Sequence, residues 1–389
     1  MSLLNHIKHL LAAFACAAAI TTMTAAENYI PSVTKLADTW ISSEEKPTYH
    51  GWPTVARLQD GRLAVVGSGN RTTHVDPFGR VYLYISEDNG ATWKKPVRLS
   101  QGPLDDRDAG IIQLKDGTLL VNYFTSLAYC FYGMDWTKAP ESWREAIGKI
   151  TLEQVNEGLG QFVLRSTDGG KTWEPKRKAP VGNVHGPCQL KDGSLLWVGK
   201  SLNYSRLLVQ SRYDSAVIAC RSADGGKSWQ KVGDIPKVPG QDQGEWHELH
   251  QLQAADGTII CHIRNQALEQ AQGGITTWQC ESADNGATWT VPHLVCYGVC
   301  NHLVNLPDGR MMMTYGYRRA PYGVRFRVSS DYGRTWSEEA VLCDDGDNGD
   351  LGYPSTVVLE DGTLVTVWYQ YRKSTGIASF RCLRWRLDK

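Results

Sequence analysis

The chain has 389 residues, with 41 basic and 41 acidic side chains and a pI near 7.1. It is long enough to bury a large core, and its balanced charge excludes the basic footprint of a nucleic-acid-binding chain. With 14 Trp, 17 Tyr and 38 Gly, the composition fits many short strands joined by tight turns, and no cofactor is expected.

Lys8 is the only formally charged residue before Glu27, and the apolar run "LLAAFACAAAITTM" leads into "TAA". This pattern predicts a secretory signal over 1–26 with cleavage near Ala26, hence a secreted or periplasmic protein. Residues 27–389 then form the mature chain, with no further segment apolar enough to span a bilayer. The mature chain keeps nine cysteines, an odd number, so at least one is unpaired within a monomer. Cys296 and Cys300 lack a matching Cys/His pair at zinc spacing, so no metal site is expected.

Two repeats follow along the chain. An apolar run broken by Asp-Gly occurs six times, with the pairs beginning at Asp60, Asp116, Asp192, Asp256, Asp308 and Asp361. Asp-Gly between apolar runs is a hairpin signal. A turn of the form Ser-x-Asp-x-Gly-x-x-Trp occurs five times, at Ser86–Trp93, Ser166–Trp173, Ser222–Trp229, Ser282–Trp289 and Ser329–Trp336. Asp closes such a turn onto backbone N–H groups, Gly permits positive φ, and Trp folds back over apolar surface. Strand-like runs precede each copy, so the turn reads as the tip between two outer strands. Six such units predict an all-β fold, a six-bladed β-propeller of four-stranded antiparallel blades. A strand near "SVTKLADTWIS" is expected to close the ring against the final run "IASFRCLRWRL". The second unit carries an insertion, about 126–160, whose "SWREAIGKITLEQVNEGLG" reads as helical.

The residues just before each inner hairpin strand are expected near the propeller axis. In chain order they include His50, then Arg107 with Asp108, His185, then His247, Glu248 and His250, then Asn301 with His302, and finally Asp350 with Tyr353. Polar groups converging on one mouth suit a polar ligand.

The hairpins and turns together resemble the sialidase (neuraminidase) superfamily, whose turns are called Asp-boxes. The resemblance covers nearly all of the mature chain. It implies fold more than activity, because the turns lie on the rim and do no chemistry. Residue by residue, it implies Tyr353 in "LGYPSTVVLEDG" as nucleophile and Glu248 in "HELHQLQAADG" as the base that activates it. It further implies Asp76 as acid/base, after Arg71 in "NRTTHVDPFG", and Arg264 with Arg318 or Arg319 as carboxylate-binding arginines. The family's first-blade arginine is absent, since "HGWP" places Gly51 there, and Arg107 is the candidate substitute. The expected activity is a secreted retaining exo-sialidase on terminal sialic acid or a related acidic sugar of glycoconjugates. Two alternatives stand beside it. One is a different exo-glycosidase or a uronate lyase that uses His50, His185, His247, His250 or His302 as acid/base. The other is a non-catalytic glycan-binding propeller.

Overall fold

The computed structural model describes residues 29–42, 49–130, 137–201, 216–266 and 275–388. The expected signal segment 1–26 lies outside the described residues. After β1 (Val33–Trp40), the first hairpin unit supplies β2 (Tyr49–Arg57), β3 (Leu63–Arg71), β4 (Arg80–Ser86) and β5 (Val97–Arg98). The second gives β6 (Asp105–Gln113), β7 (Leu119–Ser126), β8 (Gln161–Ser166) and β9 (Arg177–Lys178). The third gives β10 (Cys188–Gln189), β11 (Leu195–Lys200), β12 (Val217–Ser222) and β13 (Gln230–Asp234). The fourth gives β14 (Trp246–Gln253), β15 (Ile259–Asn265), β16 (Thr276–Ser282) and β17 (His293–Tyr297). The fifth gives β18 (Val299–Asn305), β19 (Met311–Tyr317), β20 (Tyr322–Ser329) and β21 (Ala340–Gly346). The last gives β22 (Leu351–Val358), β23 (Leu364–Arg372) and β24 (Ile377–Leu387).

These strands make an all-β propeller of small antiparallel sheets. Where six separate four-stranded sheets were expected, there are four, plus one sheet of eight strands. The eight-stranded sheet arises because β2 and β24 meet in parallel at a single pair, Tyr49 with Ala378. The early strand does close onto the last: β1 pairs antiparallel with β24, from Val33 opposite Leu387 to Trp40 opposite Arg381. Arg381 clamps that seam through Asp38 and Asp345.

Every Asp-Gly pair sits between the first two strands of its unit. Gly61, Gly117, Gly193, Gly257, Gly309 and Gly362 all have φ between 79° and 97°, which glycine adopts without a Cβ clash. The five longer turns join the two outer strands of their sheets, as at Ser86–Trp93 between β4 and β5. Within that turn Asp88 accepts the Thr92 N–H at 2.8 Å and the Ser86 hydroxyl at 2.7 Å. Asp168, Asp224, Asp284 and Asp331 repeat the same bonds.

The core lies between neighbouring sheets. Ala64 and Val66 of β3 pack with Ile111 and Val121 of the second sheet. Sheets covered on both faces explain why the inner strands read as unbroken apolar runs, such as Met311, Met312 and Met313 in β19. The insertion after β7 forms α1 (Glu141–Gly148) and α2 (Leu152–Gly158). Thr151 and Gln154 cap α2 reciprocally, with backbone bonds of 3.1 and 2.9 Å.

Candidate active site

Five non-glycine residues with positive φ stand at equivalent places in the innermost strands: Trp52 (60°), Asp108 (45°), Glu248 (25°), Cys300 (53°) and Tyr353 (55°). In the third unit the residue at the same offset before Asp-Gly is Val184, which is buried in one cluster with Trp52, Cys300 and Tyr353. The pairing register breaks across each of the five, for example between His247 and Leu249 and between Gly352 and Ser355. A bulge of this kind re-aims one side chain out of the alternating pattern, and strained φ values gather where function holds them. The ring of bulges therefore defines the centre of the site.

Two of these side chains meet directly. The Tyr353 hydroxyl donates to Glu248 Oε1 at 2.7 Å. Arg264 Nη1 clasps both oxygens of Glu248, at 2.9 and 2.8 Å, and lies 3.3 Å from the Tyr353 hydroxyl. Burial alone would raise the Glu248 carboxyl, but Arg264, His247 and the Tyr353 hydroxyl hold it below its ordinary value. Glu248 is thus ionised and able to take a proton. Tyr353 is only 4% exposed, and burial, with Cys300 and Glu248 beside it, pushes its phenol well up. It stays protonated until Glu248 removes the proton.

Arg318 lies over the Tyr353 ring, 5.8 Å from its centroid, and donates to the Leu351 carbonyl at 2.9 Å and the Tyr369 hydroxyl at 3.2 Å. Its neighbour Arg319 turns away and stacks on Tyr297 at 3.7 Å. Arg107 places its guanidinium 4.1 Å above the Trp52 ring. Asp108 is buried, its Oδ1 has no hydrogen-bond partner among the described residues and lies 3.9 Å from Arg107 Nε, and burial raises its carboxyl to about 7.

Several expected site residues are placed elsewhere. Asp76 is fully buried, and both its oxygens close its own turn: Oδ2 accepts the Thr72 N–H and hydroxyl at 2.8 and 2.6 Å, and Oδ1 accepts the Phe78 N–H at 2.8 Å. Arg71, also fully buried, is locked onto Asp105, the Ser68 hydroxyl and the Asp106 carbonyl. His50 packs inward, with Phe380 edge-on at 5.8 Å and the Tyr84 hydroxyl 3.3 Å from its Nδ1.

The histidines expected at the mouth pack against one another. His250 and His302 lie two residues beyond Glu248 and Cys300, so they share the inward side but sit roughly 6–7 Å further down their strands. Their rings stack at 4.5 Å, and His185 meets them edge-on at 5.2 and 5.0 Å. Leu303 donates its N–H to His250 Nδ1 at 2.9 Å, and Thr356 donates to His302 Nδ1 at 3.3 Å. Parallel stacked imidazoles cannot both direct a lone pair at one ion. Among the described residues no group of three or more His, Cys, Asp or Glu is arranged to hold a metal. His247, beside Glu248, is half-buried and contributes a positive field to it.

The sequence passed over His74, inside the same "NRTTHVDPFG" stretch. The only hint was its position two residues before Asp76, in the loop that follows β3. The structure brings it to Asp350, Tyr49 and the Trp52 ring.

Residues 142–366, more than half the chain, match the model of the BNR repeat-like domain. The chain belongs to the BNR repeat-like domain family. Within and beyond that BNR match, it is 24% identical over 338 residues to a sialidase of Bacteroides fragilis (strain YCH46), covering 80% of this chain and 56% of that one. The chain thus spans little more than half the length of that curated relative. Among solved structures, a protein of unknown function from Dyadobacter fermentans DSM 18053 superposes with a TM-score of 0.72 at 24% identity, covering 92% of this chain and all of that one. A Hadza microbial sialidase gives 0.59 at 18% identity over 86% of this chain and 65% of its own. An α-L-arabinanase of Penicillium chrysogenum gives 0.58 at 14% identity over 90% and 98%. These likenesses fix the BNR propeller fold.

Proposed function

We propose that this BNR propeller is an exo-acting retaining glycoside hydrolase that removes terminal sialic acid, or a related acidic sugar, from glycoconjugates. The reading counts six blades, taking the eight-stranded sheet as two blades joined at Tyr49 and Ala378. The observation that carries it is the 2.7 Å bond from the Tyr353 hydroxyl to Glu248, with Arg264 over both. A phenol with a buried carboxylate at its proton is a nucleophile paired with its base. A neutral nucleophile suits an anomeric carbon that already bears a carboxylate, because an anionic one would be repelled. In this reading Tyr353 attacks, Glu248 takes its proton, and Arg264 with Arg318 grips the sugar carboxylate. Gly51 stands at the first-blade position, and Arg71 and Arg107 both lie over Trp52, at 4.9 and 4.1 Å; with Arg71 fully buried on Asp105, Arg107 is the third cation in this reading.

The test is sugar release from sialyl-lactose and from an aryl sialoside, with products separated by chromatography. Tyr353→Phe removes one oxygen and is expected to lower turnover by about a thousandfold or more while the fold persists. Full activity in that variant ends the role of Tyr353. Binding without any product from the unaltered protein favours a glycan-binding propeller instead.

A further inference from the structure

The geometry points to His74, held by Asp350, as the proton-transfer group of this site, an inference that rests on Tyr353 being the nucleophile. A retaining glycosidase needs a group that gives a proton to the departing oxygen and later takes one from water. Asp76 cannot serve, because both its oxygens are engaged within its own turn. His74 is different. Its side chain is 43% exposed, so it reaches the mouth.

His74 is also fixed in place. Its Nδ1 lies 2.7 Å from the Tyr49 hydroxyl and 3.2 Å from Asp350 Oδ1. Tyr49 donates its own O–H to Asp350 at 2.8 Å, and Tyr369 donates to the same carboxylate at 3.0 Å. With those donors placed, the network assigns the remaining hydrogen to His74 Nδ1, which leaves Nε2 as the nitrogen for the substrate. A carboxylate behind a histidine sets its tautomer and steadies the imidazolium, the arrangement that acid/base histidines use. Two arginines hold the backbone, since Arg71 and Arg107 donate to the His74 carbonyl at 3.3 and 3.4 Å.

His74 and Tyr353 face one aromatic wall. Trp52 meets the His74 ring edge-on at 5.1 Å and the Tyr353 ring at 6.4 Å. Tyr369, which bonds Asp350, stands 5.9 Å from the Tyr353 ring.

The chemistry balances. Tyr353 Oη forms a bond to the anomeric carbon, and its proton passes to Glu248. The bond from that carbon to the leaving oxygen breaks with its electron pair, and His74 Nε2–H protonates the oxygen. Water then attacks the same carbon and gives its proton to His74 Nε2. The bond to Tyr353 breaks, and Glu248 returns the phenolic proton.

The charged and titratable groups facing His74 are Asp350 and Tyr49, which hold Nδ1, and Arg107 and Arg318. Burial and the two arginines lower the imidazole from its ordinary 6.5, against the pull of Asp350. Glycoside release is therefore expected to fall with rising pH through a limb below 6.5.

The test uses His74→Ala and the isosteric-sized His74→Gln on two substrates, with thermal unfolding measured for both variants. On sialyl-lactose, whose leaving group needs a proton, kcat/KM should fall about 10²–10³-fold. On an aryl sialoside with an acidic phenol it should stay within about tenfold, and azide should speed turnover by trapping the sugar. Asp350→Asn removes the carboxylate that raises His74 and should move the alkaline limb on sialyl-lactose to lower pH. Equal losses on both substrates, or no loss on either, overturn the assignment while leaving the Tyr353 mechanism standing. An unaltered protein that cleaves neither substrate overturns both.

Discussion

At the scale of single residues, adjacent side chains divide their roles by direction. Arg318 and Arg319 are neighbours in sequence, yet one lies over the Tyr353 ring and the other stacks on Tyr297. Losing a charge-assisted hydrogen bond to a bound carboxylate costs about 1.5–3 kcal/mol, or roughly 10–100-fold in affinity. Arg318→Ala is therefore expected to reduce kcat/KM on an anionic sugar by about that factor. Arg319→Ala should stay within about twofold on the same substrate. Comparable losses in the two variants would show that the carboxylate is gripped elsewhere. The chain spelled out both arginines but not their directions. Glu248 and Tyr353 were legible because each precedes an Asp-Gly hairpin at the same offset. The position of His250 and His302 was not legible for a physical reason. A side chain two positions further along a strand keeps its face but drops one layer below the bulge. His74 was missed because a histidine in a loop before Asp-Pro has no periodicity to reveal it, and its partner Asp350 is 276 positions away.

At the scale of the element, the two repeats do separate jobs. The Asp-Gly hairpins present the bulged ends of the inner strands to the axis. The longer turns clasp the outer strands and lock each sheet to its neighbour. Gly226 carries both functions, with φ at 83° and a position where an added Cβ would meet Leu120 Cδ1 of the preceding sheet at 2.5 Å. Alanine is disfavoured there by backbone and by contact together, a loss of about 1–3 kcal/mol. Gly226→Ala should lower the urea midpoint, with kcat/KM of the folded fraction unchanged. A selective loss of activity at unchanged stability would give the turn a role in the chemistry. The repeats made this division legible from residue spacing alone. The merging of two sheets at Tyr49 and Ala378 was not, because a single parallel pairing leaves no trace in local pattern.

At the scale of the whole molecule, the propeller closes titratable groups of opposite tendency into its interior. Burial lowers His50 and His262 to about 4 and His302 to about 3, and holds His185 and His250 well below 6.5. Burial also raises Asp105 to about 6, and Asp106 and Asp108 to about 7. Between about pH 4 and 6.5 these effects oppose. The unfolded chain binds protons on the histidines that the folded chain refuses, so stability falls as pH drops through 6.5. The folded chain holds protons on the three carboxylates that the unfolded chain releases, so stability falls as pH rises from about 4 to 7. Six imidazoles, His74 among them, are lowered against three carboxylates raised, and each net proton is worth about 1.4 kcal/mol per pH unit. The histidines therefore prevail, and stability is expected to fall with acidification within that window. Below about pH 4 the turn carboxylates join in. Hydrogen bonds from Thr92 and Thr288 hold Asp88 and Asp284 near 2, so their support is lost as pH falls from 4 toward 2. Urea unfolding at pH 7, 6 and 5 measures the balance directly. A free energy of unfolding that stays flat or rises on acidification would mean that the buried carboxylates, not the buried imidazoles, govern the acid response of the fold.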